Sequence, residues 1–213
     1  MKTALIAGGT GLIGKQLLIL LLASDRYSRV IVYTRQTLPL HAKLQQIKIS
    51  GDNLPDLPDA TVQVDDVFCC LGTTMAKAKS KEKFYKVDFE YPLDLAKKGL
   101  AHGAQRYLLV SALGAKKDSK VFYNKVKGEI EEAISKTGYP EVHIFRPSLL
   151  LGPREEKRSG EDAAKFFYSV FGFLIPGKYK AIDSAKVAKA MLYYASNSDK
   201  GIFIHESVDL QGF

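Results

Sequence analysis

Lys2-Thr3-Ala4-Leu5-Ile6-Ala7-Gly8-Gly9-Thr10-Gly11-Leu12-Ile13-Gly14 is the stretch that decides the fold. Ala4 to Ala7 reads as an apolar strand and Leu12 to Leu22 as an apolar helix, so a glycine-rich turn joins strand directly to helix. The spacing has a physical reason: Gly8 permits the sharp turn, Gly11 lets a pyrophosphate approach the backbone, and Gly14 lets the helix pack closely on the strand. A helix beginning here presents N–H groups without partners and the positive end of its dipole, which places Thr10, Gly11, Leu12 and Ile13 against phosphates.

Working outward, strand and helix periods alternate. Arg29 to Thr34 is a second β-rich run, Leu44 to Ile49 a weaker third, and Val67 to Leu71 a fourth that ends at Gly72. Ser80 to Ala101 has apolar residues at helical spacing, broken by Pro92 in a first turn or kink. Tyr107 to Ser111 is a fifth strand, Val121 to Lys136 an amphipathic helix stopped by Gly138, and Val142 to Arg146 a sixth strand ended by Pro147. This alternation predicts an α/β fold: a doubly wound parallel sheet in the order 3-2-1-4-5-6, with right-handed crossovers and helices on both faces. Ligands of such sheets sit beyond the carboxyl ends of the strands.

The pattern changes after Pro147. The sequence predicts a charged loop over 152–160, a helix over 162–171, an apolar loop over 171–177, a helix from Ser184 to Ala195 and a short strand from Gly201 to His205. One domain spanning 1–213 is expected, with 147–213 as a small appendage on the substrate side.

Three constellations fall at strand ends. Arg35 follows the second strand roughly twenty residues beyond Gly14, where an acid would bind a free ribose 2′-hydroxyl and an arginine suits a 2′-phosphate. No acid lies between Tyr33 and Thr37, so the reading is NADP(H) in preference to NAD(H), against that of an ordinary strand-end arginine in a basic protein. Leu71, Gly72, Thr73 and Thr74 follow the fourth strand, where a glycine and two hydroxyls suit close passage of a dinucleotide or make a plain turn. Ser111 ends the fifth strand, and twelve residues later Tyr123 and Lys127 stand at i and i+4 on one helix face. Among eleven tyrosines only Tyr123 has a lysine four residues on. A phenol has an ordinary pKa near ~10, and an adjacent ammonium favours its ionised form. Tyr123 is thus a candidate proton donor to a carbonyl whose oxygen Ser111 would hold.

The glycine turn, Arg35 and the Ser111, Tyr123, Lys127 set together resemble the short-chain dehydrogenase/reductase superfamily. Phe68-Cys69-Cys70-Leu71-Gly72-Thr73-Thr74, Val110-Ser111 with Gly114-Ala115, Tyr123 to Lys127 with Gly128-Glu129, and Phe145-Arg146-Pro147 look like its atypical branch, nearest the Tat-interactive-protein oxidoreductases. The resemblance covers nearly the whole chain. It implies a Rossmann fold, NADPH binding, catalytic roles for Ser111, Tyr123 and Lys127, and cofactor contacts from Arg146 and Pro147. Two departures stand out: Asp88 lies near the place of the asparagine that completes the tetrad in many members, and the tail is shorter than in sugar-nucleotide epimerases.

Composition bounds the alternatives. The net charge of +8 arises from 31 Lys and Arg against 23 Asp and Glu, with lysines clustered from Lys77 to Lys83 and from Lys116 to Lys127. They form either a solvated basic face or a positive rim that attracts an anionic cofactor or substrate. No helix-turn-helix, zinc-finger or RNA-binding motif accompanies them, so nucleic acid is not expected as a partner. The longest apolar stretch, Leu17 to Ala23, belongs to a core helix rather than a membrane span, and with a core strand opening the sequence a cytoplasmic protein is expected. Cys69 and Cys70 are read as buried free thiols on opposite faces of a strand; the four histidines lie far apart and no metal site is expected. Two functions follow: an NADPH-dependent oxidoreductase acting on a small carbonyl or alcohol, or an NADPH-binding sensor that acts through a protein partner.

Overall fold

The computed structural model of the chain describes residues 1–152, 179–197 and 200–213. Seven parallel strands form one sheet: β1 (Lys2–Ala7), β2 (Tyr27–Thr34), β3 (Leu44–Lys48), β4 (Asp66–Cys69), β5 (Arg106–Val110), β6 (Glu141–Arg146) and, later in the chain, β9 (Gly201–Glu206). The spatial order is β3-β2-β1-β4-β5-β6-β9, so the expected six strands take their places and the terminal strand pairs beside β6 as a seventh. A two-residue pairing of β7 (Leu150–Leu151) with β8 (Ile182–Asp183), absent from the sequence reading, forms a small second sheet.

The sheet is covered on both faces because the central strands carry apolar side chains on both of their sides past the polar residues that open them. In β1, Leu5 and Ala7 enter one buried cluster while Ala4 and Ile6 enter the other. The first cluster is closed by helices α4 (Tyr91–Ala101) and α5 (Phe122–Ser135), through Leu95, Ala96, Ile130 and Ile134. The second is closed by α1 (Leu12–Ala23) and α6 (Ser184–Ser196), through Leu17, Leu21, Val187 and Met191. Each such aliphatic side chain, fully buried, contributes roughly 1.5–3 kcal/mol. Cys69 belongs to the first cluster and Cys70 packs on the second, which is the opposite-face arrangement expected of neighbours on a strand. Both are free thiols, Cys69 buried as expected and Cys70 only half-buried.

Between β4 and α4 the chain makes α2 (Met75–Ala78) and α3 (Lys81–Tyr85), and α3 then widens through one π turn, Lys86–Glu90, before α4. Pro92 therefore lies in the first turn of α4 rather than at a break. Its ring nitrogen has no proton for the carbonyl four residues back, and the Tyr91 N–H bonds to the carbonyl of Lys86, five residues back. Asp88 sits in the middle of this wide turn. Of the predicted loop over 152–160 only Gly152 is described, and the predicted loop over 171–177 and helix over 162–171 lie outside the described residues.

Candidate functional site

The glycine turn after β1 is built as its spacing demands. Gly8 has φ of +83°, and a Cβ there would run into the Cys70 carbonyl and lie 2.8 Å from the Leu71 nitrogen. A Cβ on Gly14 would overlap the Gly8 carbonyl oxygen. The turn is closed by the Gly11 N–H donating to Gly8 O at 2.9 Å. Thr10 and Gly11 are exposed, no side chain caps α1, and its first turn carries no acid. The amides of Leu12, Ile13 and Gly14, with the positive end of the helix dipole, are thus left for an anion supplied from outside. A diphosphate fits this donor set, and the crevice between β1 and β4 extends it toward the loop from Leu71 to Thr74.

Arg35 is exposed just past the end of β2, whose Tyr33 pairs with Ala7 of β1, so it stands beside the glycine turn. Thr34 shapes that corner: its hydroxyl donates to Gln36 O at 2.7 Å and accepts from Gln36 N at 3.1 Å.

Across the sheet, α5 presents Tyr123, Lys127 and Glu131 one turn apart along a single face. Tyr123 is half-buried, with its ring centroid 5.6 Å from that of Phe84. Lys127 is buried, and its ammonium lies 2.8 Å from Asp88 Oδ1. Burial disfavours the lysine charge, but the Asp88 carboxylate outweighs it and leaves the ammonium more basic than usual. Asp88 Oδ2 accepts the Thr73 N–H at 2.9 Å. Above the pair lies Gly72, exposed; a Cβ there would stand 3.5 Å from Asp88 Oδ1 and 3.7 Å from Lys127 Nζ. The ion pair therefore lies directly beneath a residue with no side chain, on the loop that follows β4.

Other expected residues are placed differently. Ser111 is buried and its hydroxyl donates to Glu131 Oε1, two helical turns beyond Tyr123, rather than meeting the phenol. Arg146 closes the same cluster: its Nη2 donates to Glu131 Oε2 at 2.6 Å and its Nη1 to Glu206 at 2.9 Å. Its hydrogen bonds to Glu131 push the guanidinium pKa up, and its side chain serves this clamp instead of the crevice. Pro147, buried, accepts the Leu113 N–H at its carbonyl. The Thr74 hydroxyl caps α2 by accepting the Lys77 N–H at 3.2 Å, so that hydroxyl is used within the loop. Leu71 and Thr73 are half-buried at the crevice. Glu131 went unnoticed in the sequence, although its position four residues after Lys127 on an otherwise apolar face was a usable signal. Among the described residues no group of three His, Cys, Asp or Glu side chains is arranged to hold a metal ion, and no helix is long and apolar enough to cross a membrane.

Comparison with known proteins agrees with this fold. The model of the NAD dependent epimerase/dehydratase family matches residues 4–170. Protein fmp52, mitochondrial, of Emericella nidulans is 34% identical over 179 residues, covering 81% of this chain and 77% of the relative. Protein HTATIP2 of Rattus norvegicus is 33% identical over 195 residues, covering 90% of this chain and 80% of the relative. Among solved structures, MoeE5 in complex with UDP-glucose and NAD superposes with a TM-score of 0.70 at 17% identity, covering 95% of this chain and 74% of that one. Human epimerase family protein SDR39U1 with NADPH gives 0.65 at 17% identity, over 96% and 74% of the two chains. At these identities the structural likeness shows the fold alone: a Rossmann-like parallel sheet.

Proposed function

Because the chain belongs to the NAD dependent epimerase/dehydratase family, we propose that it is an oxidoreductase that moves a hydride between a nicotinamide cofactor and a small carbonyl or alcohol. The observation that carries this reading is Lys127, buried as an ammonium beneath Gly72 and one helical turn from Tyr123. The cofactor, when bound, supplies the carbon that gives or takes the hydride. Gly8, Thr10, Gly11, Leu12, Ile13 and Gly14 would hold its diphosphate, and Leu71, Gly72 and Thr73 would line its path. Arg35 would grip a 2′-phosphate through two N–H groups, which makes NADP(H) the preferred form.

Tyr123 acts at the carbonyl oxygen as general acid or base, with the Lys127 ammonium one helical turn away on the same face of α5. Ser111 would hold the same oxygen, which requires its hydroxyl to leave Glu131. The short stretch from 147 to 213 would build the substrate side of one domain, and favours a small substrate. A cofactor sensor acting through a protein partner is the second reading. The Ser111–Glu131 bond favours it, because that hydroxyl is already committed. The cytosol is expected from the sequence, whereas fmp52 carries a mitochondrial name; fractionation of cells making the full chain decides between them.

The test is turnover of NADPH on a panel of small carbonyls, beside the same assay on Tyr123→Phe. That substitution keeps the ring against Phe84 and removes the transferable proton, so cofactor binding should survive while turnover falls by ~10²–10⁴-fold. An unchanged rate would remove Tyr123 from the reaction, and tight NADPH binding without any turnover would favour the sensor.

A further inference from the structure

We propose that Lys48 is a second determinant of cofactor choice: together with the Thr37 hydroxyl that it orients, it joins Arg35 in holding the ribose 2′-phosphate. The inference deepens the NADP(H) reading and rests on it. Charge along the chain points to this corner first. Between Asp25 and Asp52 the sequence has no acidic residue, while it has Arg26, Arg29, Arg35, Lys43 and Lys48. Arg26 and Lys43 are engaged at the amino end: the Arg26 guanidinium lies 3.8 Å from Asp66 Oδ2, and the Lys43 ammonium donates to Ser24 O at 2.9 Å. Arg35 and Lys48 stand at the carboxyl end. Thr34, the residue before Arg35, is the ladder partner of Lys48, so the two cations are one step apart across β2 and β3. Both are exposed, and among the described residues neither has a carboxylate within ion-pair distance. Neighbouring like charges repel, and an anion from outside offsets that cost.

The loop between the two strands is held in one shape. The Thr34 hydroxyl grips both the N–H and the carbonyl of Gln36. The Gln46 side-chain amide accepts the Leu38 N–H at 2.8 Å and donates to the Leu38 carbonyl at 2.9 Å. Thr37 is exposed between these clamps, and the Lys48 ammonium donates to its Oγ1 at 2.7 Å. The threonine oxygen is thus used as an acceptor, and its own proton, without an acceptor among the described residues, is left to donate. The corner presents a guanidinium, an ammonium with further N–H groups and an oriented hydroxyl, fixed before any ligand arrives, which lowers the ordering cost of binding. A phosphate monoester carries several acceptor oxygens and close to two negative charges at neutral pH, and it takes such donors together. The ribose hydroxyl of NAD(H) brings no charge, so Lys48 discriminates between the two cofactors.

The test is calorimetric titration of the full chain with NADPH and with NADH, in the unaltered protein and in Lys48→Gln, Lys48→Arg and Thr37→Val. Lys48→Gln removes the charge of an exposed side chain; it should weaken NADPH about 3- to 10-fold and leave NADH nearly unchanged. Lys48→Arg restores the charge and should recover most of that loss. Thr37→Val should also weaken NADPH selectively, by about 2- to 5-fold. An NADPH affinity unchanged in Lys48→Gln overturns the proposal. An equal loss for both cofactors overturns it too, because it marks Lys48 as a support of the loop's shape, and no change in Thr37→Val removes the hydroxyl from the site. A preference for NADPH that survives Lys48→Gln keeps the NADP(H) reading and removes Lys48 alone. Equal binding of both cofactors by the unaltered protein would overturn the NADP(H) reading itself, and the proposal with it.

Discussion

The two ends of the sheet both bury charge, and they do so in opposite ways. At the amino end, Asp66 is fully buried and accepts from Tyr27 at 2.7 Å and from Arg106 at 2.7 Å, with Lys2 at 3.4 Å. Arg106 goes on to Glu141 at 2.6 Å and donates to the carbonyls of Ala195 and Asn197. Glu141 meets His143 at 2.7 Å, and His143 meets His205 at 2.9 Å. Lys2, Tyr27, Asp66, Arg106 and Glu141 open strands β1, β2, β4, β5 and β6, so one row of polar groups ties the strand starts together, and His143 and His205 carry it into β6 and β9. The carboxyl end has its own cluster in Ser111, Glu131, Arg146 and Glu206, but beside it Lys127 and Asp88 are buried with one principal charge partner each, beneath an open glycine. Buried charge by itself therefore marks no site here; the Asp66 and Arg106 pair and the Lys127 and Asp88 pair are equally buried, and what separates them is that only Lys127 and Asp88 lie under a glycine on a loop beyond the strand ends.

The sharpest way to break this comparison is Asp66→Ala. It strands Arg106 and Tyr27 without their shared partner, and removing one side of a buried ion pair costs about 3–5 kcal/mol of stability. Urea unfolding should show that loss, while NADPH affinity of the folded protein, measured by calorimetry, should not change. A fall in affinity as large as the fall in stability would mean that the two ends are not separate.

The carboxyl end is probed by Arg35→Asp. Exchanging a guanidinium for a repelling carboxylate beside a 2′-phosphate should weaken NADPH about 10- to 100-fold and leave NADH nearly unaffected, since hydrogen bonds to charged groups are worth about 1.5–3 kcal/mol. Equal affinity for both cofactors in the unaltered protein would reject Arg35 as the selector.

The smallest effect belongs to His205, whose pKa is lowered to about 4 by burial and by neighbouring His143. Above pH ~6.5 the ring is neutral in both folded and unfolded chains. As pH falls toward 4, the unfolded chain takes up a proton that the folded one refuses, so stability present above the unfolded value is lost within that window. Allowing for solvent screening, the loss is on the order of 1–2 kcal/mol. Urea unfolding at successive pH values should show it, and His205→Phe, which keeps a ring against Tyr194, should flatten that slope.

What the sequence made legible is what local periodicity encodes. Strand alternation, the glycine turn and the i, i+4 spacing of Tyr123 and Lys127 are short-range patterns, and the order of the first six strands follows from them with the handedness of crossovers. The seventh strand was expected as an element, but its pairing with β6 depends on where the chain returns, which no local pattern states. The same limit applies to the site. Asp88 was noticed for the residue type it replaces, yet its bond to Lys127 joins two helical elements, and the Ser111 hydroxyl, expected to hold a substrate oxygen, is taken by Glu131 across strand and helix, a pairing no local pattern states. Arg146 was expected at the cofactor because of the family resemblance, whereas its side chain is held by the two carboxylates of Glu131 and Glu206.

The central claim is that a dinucleotide binds at the carboxyl end, against the start of α1, and it is tested most directly by following backbone amide NMR signals of the full chain during NADPH titration. Saturable shifts should concentrate at Leu12, Ile13, Gly72 and Thr73 and leave Asp66, Arg106 and Glu141 still. Shifts centred on the amino-end row, or no saturable change at all, would contradict it.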